Sequence, residues 1–156
     1  MYLLIGLYAA HVIGAIVWFG GGLTSLLVVG PALGRSSGAA RAEVGPNIAV
    51  FAKRVYPLAG IVTIGAGIAL AIAGGRFTSP ADVATAYGVT VACASALAVG
   101  VYVWGGAVVG PAMARVGALP PAERPAALAR GIRMLAFEQC GFAAVFACMV
   151  LMRFGV

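Results

Sequence analysis

A single histidine, His11, stands inside the first long apolar run of the chain. On a helix rising 1.5 Å per residue it falls roughly 14 Å from the outer end of that run, close to mid-bilayer. An ionisable side chain at that depth is costly and marks a functional position by default. The plainer alternative is a neutral imidazole that donates to a carbonyl on a neighbouring helix. Ala15, Trp18, Gly22 and Ser25 follow on one helical face, and Gly14, Gly20 and Gly21 add small positions beside it. Small residues admit either a close-packed helix or a flat cofactor, and Trp18 suits either a core or a cofactor wall.

Two metal chemistries fit these residue types. An imidazole beside an apolar, flat-walled cavity suits haem, with His11, Gly14 and Trp18 as the binding set. An imidazole joined by thiolate and thioether suits Cu(I), with His11, Cys93, Cys148 and Met149. Counting inward from the outer ends puts Thr63, Cys93 and Val145–Phe146 at the depth of His11, with Cys148, Met149 and Met152 further out. Taken singly, the cysteines and methionines are ordinary packing residues. Glu138, next to Gln139, is the one acid within an apolar span. Lys53 and Arg54 enter the second span at a similar depth, so a buried ion pair with Glu138 is expected, a proton relay being the other use of the group. Tyr56-Pro57 should kink the second helix just above. No serine–histidine–acid set, phosphate-binding loop, HExxH or dinucleotide glycine pattern occurs, which excludes the usual chemistry of soluble enzymes.

What must position these residues follows from composition. Apolar residues make up 63% of the 156 and charged residues 9%, and the mean hydropathy is +1.07. A soluble domain carries roughly a quarter of its residues charged, so most of this surface must face something other than water. The length allows one compact unit, residues 1–156, and no second domain. The net charge of +6 does not indicate nucleic acid, because the basic residues cluster at the ends of apolar runs without a basic–aromatic stripe. Cys93, Cys140 and Cys148 lie in apolar runs and form no CxxC, so neither a disulfide framework nor a zinc site is expected. The N-terminus has no basic flank and its apolar run is too long for a signal peptide, which makes it a retained first helix.

Four stretches reach the ~20 apolar residues that a span requires, at about 2–29, 48–73, 83–109 and 132–154. Their apolar character is continuous, not alternating, which predicts helices and not barrel strands. Gly30-Pro31 and Gly110-Pro111 are expected to stop the first and third. Pro57 and glycines 60, 65, 67 and 74 are tolerated in lipid. Arg35, Arg41, Lys53 and Arg54 flank the first connection, and Arg115, Arg124, Arg130 and Arg133 flank the third. Only Arg76 and Arg153 lie opposite. The positive-inside rule then places both termini outside an inner (plasma) membrane. Gly30-Pro31-Ala32-Leu33-Gly34-Arg35 is echoed by Gly110-Pro111-Ala112-Met113-Ala114-Arg115, and Val17-Trp18-Phe19-Gly20-Gly21 by Val103-Trp104-Gly105-Gly106. The fold class expected is an all-α, up-down four-helix membrane bundle built from two tandem hairpins.

The first-helix pattern from His11 through Gly14 and Trp18 to Gly20-Gly21, followed by Gly-Pro-Ala-Leu-Gly-Arg, resembles the CopD-like copper-resistance membrane family. It is also similar to HemJ-type protoporphyrinogen oxidases. Phe51-Ala52-Lys53-Arg54-Val55-Tyr56 fits the second helix of that pattern loosely. The likeness covers about the first half of the chain, and the metal-rich outer segments of longer CopD-type proteins are absent. It implies haem b binding or copper handling at His11, and more weakly a role for Lys53 and Arg54. Three functions are therefore expected as alternatives: a haem b protein, suited to redox or electron transfer, with His11 as axial ligand; a copper-handling protein; and a non-catalytic subunit of a larger membrane complex. With one histidine per chain, a sixth haem ligand would be a methionine, water, or His11 of a second copy in a homodimer.

Overall fold

The structure, a computed structural model, describes residues 1–154 and gives the backbone alone at positions 41 and 42. The side chain of Arg41, counted above among the orienting charges, thus lies outside the described residues. Four long helices dominate: α1 (Tyr2–Arg35), α2 (Gly38–Ala73), α3 (Ala86–Val116) and α4 (Arg124–Arg153). Each is long and apolar enough to cross a membrane. A short 3-10 turn, Pro80–Ala84, leads into α3, and the described residues contain no strand.

Two helices begin well before their apolar windows. Helix α2 starts at Gly38 and not near 48, and α4 at Arg124 and not near 132. The added turns are polar, so hydrophobicity does not detect them, yet local signals do. Ser37 Oγ accepts the Ala40 N–H at 3.2 Å, an ordinary N-cap, and Pro125 occupies the first turn of α4. Both Pro46 and Pro57 sit inside α2, which runs on through them.

The two Gly-Pro pairs do not stop their helices, contrary to expectation. Proline lacks an N–H and its ring crowds the carbonyl four residues back. Here the helix absorbs both effects by widening just before the pair. Ser25–Val29 and Gly105–Val109 each form a π-helical turn. The N–H of Gly30 then reaches the Ser25 carbonyl, and that of Gly110 reaches the Gly105 carbonyl. A Cβ at Gly30 would lie 3.1 Å from that oxygen, and one at Gly110 would lie 3.2 Å from its counterpart. The sequence echo is therefore a repeated backbone device. Helix α1 carries a further π-helical turn, Ile16–Gly20, around Trp18.

Packing follows small residues. Helix α1 packs mainly on α2, and α3 mainly on α4. The buried centre is Trp18, Ala59, Val101 and Phe142, with Phe19, Tyr56, Ile64 and Tyr102 against it. Large apolar side chains point outward instead: Leu58 is 64% exposed, Phe51 67% and Phe137 65%. A water-soluble bundle would bury these and show charge. Such an apolar exterior is compatible with a membrane-spanning bundle.

Candidate functional site

Polar groups inside the helices gather at two levels, separated by an aromatic layer. Trp18 meets Phe142 edge-on at 4.7 Å between ring centroids and Tyr102 at 5.9 Å. Phe19 lies 5.3 Å from Phe142. These rings fill the centre where all four helices approach.

The level nearer the start of α1 belongs to His11, which is half-buried. Its Nδ1 lies 2.8 Å from the backbone carbonyl oxygen of Thr63. A carbonyl only accepts, so Nδ1 carries the ring proton and donates. Nε2 then holds the free lone pair, the arrangement in which a histidine ligates a metal. The Nδ1–Cε1 edge of the ring approaches α2 closely because residue 67 is glycine: a Cβ there would lie 2.9 Å from both Cε1 and Nδ1. The Thr63 hydroxyl turns away, donating to the Ala59 carbonyl at 2.7 Å.

The rest of the expected haem set is differently employed. A Cβ at Gly14 would lie 2.5 Å from Thr63 Oγ1 and 3.2 Å from the Ala59 carbonyl oxygen, so its open side is taken by helix α2. Trp18 is enclosed by aromatic rings. Gly14 and Trp18 are thus packing residues, and the imidazole Nε2 is the feature that fits a haem. Two open grooves are present, of 420 Å³ between α1 and α2 and of 240 Å³ between α2 and α3. Neither is lined by His11 or Trp18.

The copper set is not assembled. Cys93 is exposed and Cys148 half-buried, and the described residues hold no grouping of three His, Cys, Asp or Glu side chains able to bind a metal. Met149 is half-buried. Contacts of α1 with α4 run from Gly22–Gln139 to Trp18–Phe142. Continued two turns toward His11, the same spacing would bring Met149 level with it along the bundle, in place of Val145–Phe146 as counted from the sequence.

The level on the other side of the aromatic layer comprises Ser25, Tyr56, Glu138 and Gln139. Ser25 Oγ–H donates to the Gly21 carbonyl at 2.8 Å, which leaves the Tyr56 hydroxyl to donate to Ser25 Oγ at 3.1 Å. Glu138 and Gln139 are 8% and 7% exposed. Each is admitted by a glycine on another helix. A Cβ at Gly105 would lie 2.6 Å from Glu138 Oε1, and one at Gly22 would lie 2.7 Å from Gln139 Nε2. Both amide atoms of Gln139 are buried without a hydrogen-bond partner among the described residues. Beside this level the Trp104 indole N–H donates to the Met134 carbonyl at 3.3 Å.

Among the described residues no ion pair joins Glu138 to Lys53 or Arg54, in contrast to the pairing expected from depth alone. Both cations are exposed, whereas Glu138 faces α3 at Gly105. Depth along a helix says nothing about which face a side chain occupies, and here the faces differ. Buried Gln139 was the polar residue that sequence reasoning passed over. Its signal was present, as an uncharged amide in an otherwise apolar run. No family model, curated protein or solved structure matches this chain.

Proposed function

We propose that the chain is a multi-pass protein of the plasma membrane that binds haem b through Nε2 of His11. The single observation carrying the cofactor is the Nδ1–H···O=C bond to Thr63 at 2.8 Å, which fixes the tautomer and leaves Nε2 basic. Orientation by a main-chain carbonyl is a common second contact of metal-bound histidine. A haem held there would supply reversible one-electron chemistry.

The membrane reading rests on four apolar helices and on their apolar exterior. As α1 is followed from Ser25 to Gly14 to His11, its neighbours on α2 advance from Tyr56 to Thr63 to Gly67. Along α3 from Trp104 to Val101, those on α4 advance from Met134 to Gly141. Such opposed progressions favour an up-down bundle, with both termini outside and both Arg-rich connections in the cytoplasm.

The test is an absorption spectrum of protein expressed with ample haem and purified in detergent. Wild type should show a Soret band that His11→Ala abolishes while helical circular dichroism is kept. A haem-free wild type, or a His11→Ala protein with full haem content, would sink the assignment.

A further inference from the structure

The 420 Å³ groove between α1 and α2 has an unusual lining for a membrane-facing surface. Gly14 and Ala59 form its buried floor, and Ile13, Val17, Leu58 and Val62 its exposed apolar walls. One end is lined by the guanidinium-bearing Arg54, an exposed residue with Lys53 next to it. From Arg54 to Val62 the groove rises about 12 Å along α2. From Arg54 to Ala73 is about 29 Å, close to the ~30 Å of a bilayer's hydrocarbon core. With the outer end of α2 at one boundary, Arg54 therefore stands at the other, where lipid phosphates lie.

We infer that this groove binds an anionic phospholipid of the leaflet facing the Arg-rich connections, its phosphate on Arg54 and one acyl chain along Gly14 and Ala59. The inference rests on the membrane reading given above and is independent of haem. An apolar trough explains an acyl chain but not a choice among lipids; a cation closing one end supplies that choice. Arginine suits the task because its planar fork matches phosphate oxygens. Basic positions between helices on the cytoplasmic side are a recognised setting for anionic headgroups.

The experiment reconstitutes the full chain in vesicles of phosphatidylglycerol and phosphatidylcholine in equal amounts, extracts it gently, and measures co-purified lipid by native mass spectrometry. Phosphatidylglycerol should be retained in preference, and Arg54→Gln should cut that preference about five-fold, the equivalent of roughly 1 kcal/mol per basic residue at an anionic surface. Val17→Trp, which fills the trough and leaves Arg54 in place, should also reduce retention. Arg133→Gln, at the same end of the molecule but outside the groove, should leave it unchanged. Equal retention of the two lipids, or equal effects of Arg54→Gln and Arg133→Gln, would overturn the lipid site alone. Failure of the chain to enter vesicles would overturn it together with the membrane reading.

Discussion

Gln139 is seated on Gly22: a Cβ on residue 22 would lie 2.7 Å from the amide Nε2. The contact joins α1 to α4 one turn from the aromatic layer, and it buries an amide without a hydrogen-bond partner among the described residues. An unsatisfied buried polar group costs about 1–3 kcal/mol, so this contact owes its stability to close packing and not to hydrogen bonding.

Gly22→Ala should destabilise the bundle by about 1–3 kcal/mol, because the amide must swing out of a full interior. Gln139→Leu, of similar volume, should stabilise by about 1 kcal/mol by removing the unpaired group. In the double variant the two effects should be non-additive by at least about 0.5 kcal/mol. Reversible unfolding in mixed micelles measures all three. Additivity would mean that the two residues do not meet.

Glu138 yields the opposite expectation. Its carboxyl group packs on Gly105 and makes no ion pair with Lys53 or Arg54 among the described residues. The losses from Glu138→Gln and Arg54→Gln should therefore add within about 0.5 kcal/mol. A coupling well above that would restore the pair inferred from depth.

The contrast between these two predictions shows what the chain made legible. Four apolar runs, their helical character and the special position of His11 all follow from hydropathy and residue type. One depth relation follows as well: Thr63 falls at the level of His11, and its carbonyl is the acceptor. Azimuth was not legible. Every span here is apolar on all sides, so no periodic stripe tells which face looks inward. Cys93 reached the right depth but is exposed, and Lys53 and Arg54 reached that of Glu138 but not its side of the bundle. Gly-Pro was misjudged for another reason, since stop rules are drawn from helices that can end in water. Here a π-helical turn before each Gly-Pro pair keeps the backbone bonded and the helix continuous.

Gly67 offers a test of the histidine that spares the ligand itself. A Cβ there would press on Cε1 and Nδ1 at 2.9 Å and lift the ring from the Thr63 carbonyl. Gly67→Ala should leave the helices intact yet weaken haem retention about 10–100-fold, as loss of an orienting second contact does. Haem titration of the purified variant measures it. Unchanged affinity would show that the carbonyl does not orient the imidazole.

Asp82, outside the spans, provides a prediction in pH. Its Oδ2 accepts the backbone N–H groups of Ser79 and Thr78, each at 2.7 Å, and the Thr78 hydroxyl at 3.1 Å. The Ser79 N–H foremost, then those of Thr78, hold the carboxyl below the usual aspartate range. The folded form thus binds its proton less readily than the unfolded form. Stability from this group is present above the unfolded value near ~3.9 and is lost as pH falls through the lower folded value. Asp82→Ala should lower the melting temperature at pH 7, and the gap from wild type should close on acidification below about pH 4. Thermal melts of both proteins across that range decide the matter. A gap that stays constant with pH would assign the effect to the alanine side chain, not to the lost carboxylate.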